Sequence, residues 1–171
     1  MFMFSKTAHF GIALGIILIA SFILQYTLNM HTDPQNVYSL AMFPIMAIFI
    51  ILAIVKVSRN GEPFSIREGL KTGIGVILLG SLMLWIYIII HASYIETDFV
   101  DKLAVVAEQD LRKNSDFTDE KIKESITFLK DNFKFAIFIE NVFKSLLSGF
   151  FFSLLTSLAI KSKIFTNPNN A

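Results

Sequence analysis

The chain contains no cysteine, which excludes disulfides, thiolate catalysis and cysteine-built zinc sites. Its histidines number three, His9, His31 and His91, and no two stand at the short spacings of a local metal-ligand motif. Catalytic signatures are missing as well. No paired aspartates, Ser–His or Ser–Lys dyad, glycine-rich phosphate loop or histidine-rich tract falls within an apolar run. Ser145 follows Lys144 directly, so on a helix the two side chains point to different faces. No catalytic residue, metal ligand or cofactor is therefore expected, and no nucleic-acid partner.

What the chain has in abundance is apolar surface. Of its 171 residues 54% are hydrophobic, 18 are Phe, and the mean hydropathy is +0.60. Soluble domains run nearer about 45–50% apolar. The excess is concentrated in four runs, residues 8–30, 37–57, 70–92 and 135–160. A bilayer core about 30 Å thick needs roughly 20 apolar helical residues, and each run meets that requirement. The first run is too long for a signal-peptide core and is followed by no A-x-A cleavage pattern, so it reads as a retained helix. The expectation is an all-α membrane protein, a single polytopic domain over residues 1–171 with four transmembrane helices.

Charge distribution sets the expected orientation, because Lys and Arg accumulate in cytoplasmic segments. Lys6 precedes the first run, and Lys56, Arg59, Arg67 and Lys71 flank the second connection. Lys161 and Lys163 follow the last run. The first connection carries Asp33 and no cation, and in the segment 93–134 acids outnumber bases. Both termini are expected inside and the segment 93–134 outside, with a bacterial inner membrane and a periplasmic insert as the simplest placement.

The insert is patterned as two amphipathic helices. Phe99, Leu103, Val106 and Leu111 make an imperfect stripe over 96–113, and Asn114–Asp116 reads as a break. Thr118 is positioned as an N-cap with Asp119 and Glu120 in the first turn, where acids suit the helix dipole. Ile122, Ile126, Leu129 and Phe133 then recur at helical spacing. An external helical hairpin follows. Its apolar faces have three uses open to them: packing on each other or the bilayer surface, binding a partner, or gating a substrate.

Ionisable groups within apolar runs mark candidate sites. Glu140 and Lys144 are spaced i, i+4 with the acid first, the better order for a helical ion pair. Counting about 20 residues up from Ile160 puts Glu140 at the outer boundary and Lys144 about 5 Å inside it, within reach of snorkelling. Gln25, Asn29 and His91 fall at a similar level. Together these five form either a small polar pocket or ordinary headgroup-level residues. Small residues supply a second signal. Ser145, Gly149, Ser153 and Ser157 repeat at steps of four, and Gly11/Gly15 and Gly69/Gly73 are GxxxG pairs. Such seams allow close helix approach, either within the bundle or against a partner or second copy. In the second connection, Ser65 with Glu68 is a capping box opening the third helix. Arg67 and Lys71 lie one turn apart there, as membrane anchors or contacts to lipid headgroup or lipid-linked pyrophosphate.

The stretch Phe64-Ser65-Ile66-Arg67-Glu68-Gly69-Leu70-Lys71-Thr72-Gly73, the charged insert, and the ending from Ser145-Leu-Leu-Ser-Gly149 through Ser153 to Lys161 resemble a known pattern. It is that of a Bacteroidota membrane family catalogued as domain of unknown function 4199. The resemblance implies a four-helix inner-membrane protein with no assigned activity and no catalytic residues to carry over. It also implies members encoded near a membrane-associated glycosyltransferase. Two functions are therefore weighed. One is a non-enzymatic accessory or scaffold subunit bound to a larger membrane protein, such as a polyprenyl-phosphate-using glycosyltransferase. The alternative is a small flippase for a lipid-linked sugar, similar in size and helix count to the four-helix partners of bactoprenol glucosyltransferases. Membrane lipid and a protein partner or second copy are the expected contacts.

Overall fold

A computed structural model of the chain describes residues 3–32, 37–59, 63–113 and 117–166. It is helical throughout the described elements. These are α1 (Met3–Thr27), α2 (Val37–Ser58), α3 (Ile66–Ile90), α4 (Phe99–Lys113), α5 (Asp119–Asp131), α6 (Phe133–Phe138) and α7 (Lys144–Thr166). A π-helical turn, His91–Ile95, extends α3, and another, Ile139–Phe143, joins α6 to α7. Four stretches are long and apolar enough to cross a membrane: Thr7–Thr27, Ala41–Ser58, Ile66–Ile95 and Phe133–Ser162. Two overrun the expected limits of 70–92 and 135–160: the third opens at the Ser65 cap and is carried on to Ile95 by its π turn, and the last begins with α6 at Phe133 and continues in α7 to Ser162. The expected break at Asn114–Asp116 lies outside the described residues.

Helix ends follow local chemistry. Ser65 caps α3, its hydroxyl accepting from the Glu68 N–H while the Glu68 carboxylate accepts from the Ser65 N–H at 3.1 Å. Thr118 caps α5 by accepting from the Lys121 N–H. At the end of α1, Asn29 adopts a left-handed conformation with φ 55°. Its N–H donates to the Tyr26 carbonyl and the Met30 N–H to the Gln25 carbonyl, which is a Schellman stop with asparagine in the position glycine usually takes. This turn reverses the chain and directs His31 back over the bundle. Pro44 lies within α2, and the helix continues through it.

Helix α3 is central, packing most extensively against α1, then α7, and also against α2. It can do so because small residues occupy its faces. A Cβ on Gly69 would overlap the Ser157 hydroxyl, and one on Gly73 would overlap that of Ser153. Gly80 sits under Leu14, and across the same interface Gly11 and Gly15 of α1 receive Leu79 and Met83. The small-residue seam of α7 is thus occupied by α3 of the same chain. Gly149 meets Ile77, and Ser153 and Ser157 are fully buried. Their hydroxyls donate to carbonyls one turn back, Ser153 to Gly149 at 2.5 Å and Ser157 to Ser153 at 2.6 Å, so they are buried without loss. Ser145, at the edge of the seam, remains half-buried. Leu14, Ile50, Ile54 and Ile77 fill the centre. Outward-facing positions carry large apolar side chains, among them Ile16, Ile48, Phe151 and Leu155.

Helices α4 and α5 pair antiparallel. Asp101 near the start of α4 binds Lys130 near the end of α5 at 2.6 Å. At the other end Arg112 binds Asp119 at 2.7 Å. Between them the two expected stripes turn inward, with Phe99, Ile122 and Phe133 buried and Leu103, Val106, Leu111, Ile126 and Leu129 half-buried.

Gly73→Ala should force a methyl into Ser153 and lower the melting temperature of the detergent-purified chain, an overpacking cost of about 1–3 kcal/mol. Adding Ser153→Gly should return most of that loss. Simple addition of the two losses in the double variant would mean that the α3 and α7 seams do not meet there.

Candidate functional site

The π turn that ends α3 builds the most distinctive polar arrangement among the described residues. In an α-helix, positions five apart lie about 140° round the axis, so His91 and Glu96 would face apart. The wider turn closes instead with the Glu96 N–H donating to the His91 carbonyl at 2.9 Å. That places the Glu96 carboxylate over the His91 ring, with Oε2 3.1 Å from His91 Nε2. The Schellman stop at Asn29 brings His31 in from the other side, its Nε2 2.8 Å from the same oxygen. Lys102, one turn into α4, donates to the second oxygen, Oε1, at 2.7 Å and also binds Asp98 at 3.1 Å.

Burial is deep. The side chains of His31 and Glu96 are each 5% exposed and that of His91 is 1% exposed, whereas Lys102 is half exposed on the solvent side. Aromatic rings enclose the group: Phe22 and Tyr26 from α1, Tyr87 from α3 and Phe99 from α4. His31 stacks on Phe99 at 5.5 Å, and Tyr26 meets His91 edge to face at 4.6 Å. Ile88, Phe99, Phe133 and Ile137 form an apolar cluster alongside it. Trp85 extends that junction by donating to the Lys134 carbonyl at 3.0 Å. One polar group therefore ties the end of α1, the end of α3 and the start of α4 together.

Burial raises the Glu96 pKa, but hydrogen bonds from Lys102 and His91 and the charge and hydrogen bond of His31 together outweigh it. The carboxyl is held below its ordinary value. Lys102 is held above its own ordinary value, first by its bond to Glu96 and then by that to Asp98. A carboxylate gripped by two imidazoles and an ammonium is suited to fixing backbone elements, or to binding a cation, rather than to attacking a substrate. A shallow groove of about 420 Å³ on the α4–α5 pair is lined by Glu108, Arg112, Asp119, Lys123 and Lys130, apart from Glu96.

The sequence-predicted polar residues scatter. Only the His91 of that set is placed in the Glu96 group. Gln25 donates to the Ser21 hydroxyl one turn back at 3.2 Å, and Asn29 is an exposed helix stop. Glu140 and Lys144 pair with each other at 2.9 Å on an exposed face, at 57% and 70% exposure. The five do not close into one pocket, because helix geometry satisfies Glu140 and Lys144 within their own helix. Arg67 and Lys71 lie exposed in the first turns of α3. The histidines, though never at the short spacings of a local motif, do not all stay apart in the fold. His31 and His91 converge on one carboxylate, and the third, His9, lies elsewhere with Lys56 at 3.3 Å. Sequence spacing could not reveal this, since the contacts join residues from two chain reversals. The nearest signals were the i, i+4 pairs Phe22/Tyr26 and Tyr87/His91, both on helix ends.

A family model described as "Protein of unknown function (DUF4199)" matches residues 9–162, which include all but the first turns of α1 and the last turn of α7, and the whole histidine–glutamate group. The chain belongs to this family. No curated protein and no solved structure matches it. For this DUF4199 chain, its four apolar helices fit a multi-pass membrane protein.

The lowered Glu96 pKa sets a sign for acid behaviour. Its stabilisation is fully present above the unfolded carboxyl's range and is lost as pH falls through the lower folded value. Glu96→Gln should cost about 1.5–3 kcal/mol at neutral pH, the usual worth of hydrogen bonds to a charged group. In thermal melts the gap between the native chain and Glu96→Gln should shrink as pH is lowered below the ordinary carboxylate range. A gap that stays constant with pH would show that the carboxylate is not ionised in the folded chain.

Proposed function

We propose that this DUF4199 chain is a non-enzymatic accessory subunit of the bacterial inner membrane that presents its α4–α5 pair to a larger membrane protein. Both termini lie in the cytoplasm and the pair lies in the periplasm. The cation-rich segments around Lys56, Arg67, Lys71 and Lys161 and the acid-rich segment between α3 and α7 support that orientation. The observation that carries the subunit reading is the way the α4–α5 pair is held. It is clamped at its base through Glu96 and Lys102 and braced along its length by ion pairs. It still leaves Val105 at 54%, Phe117 at 40% and Phe128 at 53% exposure. A rigid, mostly polar element with isolated exposed apolar side chains is suited to recognition, where rigid anchors in a polar surround carry most of the affinity.

The bundle interior favours this over a flippase for a lipid-linked sugar. Leu14, Ile50, Ile54 and Ile77 are fully buried at its centre. Ser153 and Ser157 bond to their own helix, and the other buried polar side chains described in the bundle, Thr7, Thr72 and Ser81, are small and uncharged, a poor lining for a sugar to follow. The small-residue seam of α7 is spent on α3, so a partner is met through the α4–α5 pair or the apolar outer faces. A polyprenyl-phosphate-using glycosyltransferase is the first partner class to test, and a second copy of the chain the other.

Because the chain lacks cysteine, orientation can be read from single introduced cysteines. Lys113→Cys should react with a membrane-impermeant maleimide in intact spheroplasts, and Lys161→Cys only after lysis. The opposite pattern would reverse the topology. For the subunit reading, the native chain isolated in mild detergent should retain a membrane protein in fixed ratio. Val105→Lys and Phe128→Lys should release it without lowering the chain's own melting temperature. Isolation of the chain alone, with bound polyprenyl lipid, would favour transport.

A further inference from the structure

Two imidazoles and one carboxylate that aim at a single point raise the question of what else the point can hold. His31, His91 and Glu96 each offer one ligand atom, and the three lie within 4.8 Å of one another. We infer that His31, His91 and Glu96 form a binding site for a divalent transition-metal ion of the Zn²⁺ type, which staples the chain after α1 to the junction of α3 and α4.

The donor set is that of a known class of zinc site, two histidines and a glutamate with a fourth position open. Imidazole nitrogen favours ions of the Zn²⁺ type, whereas Mg²⁺ and Ca²⁺ prefer all-oxygen shells. Tetrahedral bonds of about 2.0–2.1 Å place neighbouring ligand atoms about 3.3 Å apart. Glu96 Oε2 stands 2.8 Å from His31 Nε2 and 3.1 Å from His91 Nε2, so these two edges need to open by only a few tenths of an ångström, while the edge between the two imidazoles lies within the 4.8 Å that spans the set. Lys102 on the other carboxylate oxygen supplies the kind of outer bond that orients a ligating carboxylate. Being half exposed, it also marks the side from which an ion would enter.

The unpartnered ring nitrogens carry the argument past a simple hydrogen-bonded cluster. Without an ion, both histidines share their Nε2 protons with one oxygen. The Nδ1 atoms of His31 and His91 are buried with no hydrogen-bond partner among the described residues. Phe22 and Tyr26 meet both imidazoles edge to face, and Phe99 stacks on His31, so the surrounding ring faces offer Nδ1 no hydrogen-bond donor. An ion bound by the two Nε2 lone pairs reverses both tautomers. The Nδ1 atoms then carry protons, which electron-rich ring faces accept as weak donors. A cation at this point is held by the two Nε2 atoms and Oε2, while Lys102 keeps its bond to Oε1.

The test uses the full chain without a polyhistidine tag, purified in mild detergent and stripped with a chelator. Equilibrium dialysis against Zn²⁺ should leave one equivalent bound, and Co²⁺ in its place should give the intense visible bands of a four-coordinate nitrogen–oxygen site. Zn²⁺ should also raise the melting temperature of the native chain. His91→Ala, His31→Ala and the near-isosteric Glu96→Gln should each lose the equivalent and the melting shift. The inference is overturned if the stripped native chain retains no equivalent, a result that does not depend on any variant folding. It is equally overturned if Glu96→Gln and both histidine variants retain the ion. Partner release by Phe128→Lys is read separately, so this site and the subunit reading fail independently.

Discussion

Close approach of α3 to two neighbours at once is the constraint on which the bundle depends. In lipid, leucine gains nothing by leaving the membrane for a protein interior, so helices associate through van der Waals contact and must come close to achieve it. Gly69 and Gly73 turn one part of α3 into a trough for Ser157 and Ser153, and Gly80 with Gly11 and Gly15 does the same towards α1. Once α3 is held from both sides, Leu14, Ile50, Ile54 and Ile77 close the centre with buried apolar side chains. The serines contribute no unsatisfied polarity, because each bonds within its own helix.

The same helix transmits order to the segment beyond the apolar core. Its last turn widens at His91, and that single change of helical register delivers Glu96 to a place where α1, α3 and α4 meet. Local departures from α-helix of this kind recur at functional positions, since they re-aim one side chain without disturbing the rest. Here the re-aimed group is a buried carboxylate, an arrangement that is costly unless it is fully paired. Lys102 and two imidazoles pair it, and the aromatic rings around them exclude the water that would weaken the bonds. A base built in this way fixes the direction in which the α4–α5 pair leaves the bundle. The ion pairs Asp101–Lys130 and Arg112–Asp119 then keep its two helices in register.

Much of this fold was legible along the chain. The four apolar runs, the Ser65–Glu68 capping box, the Thr118 cap and the two amphipathic stripes are patterns of local period or adjacency, and each became the element it implied. The seam at Gly149, Ser153 and Ser157 was also visible, but its occupant was not, since a GxxxG-type surface fits any close helix equally well. The polar residues misled for a related reason. Glu140, Lys144, Gln25 and Asn29 were expected at a similar depth by counting residues along their helices, yet such a count says nothing of angular position, and each found a partner or a capping role locally.

Sequence alone determined the class of protein, the number of long apolar helices and the paired helices between the last two, because hydrophobic period and capping chemistry act over a few residues. Tertiary structure decided which neighbour each small-residue seam meets and that two of three histidines share one glutamate. The physical reason is that His31 and His91 lie far apart in the chain, one in the turn after α1 and the other in the π turn that ends α3. Only the left-handed stop at Asn29 and the π turn at His91 bring them to the same carboxylate.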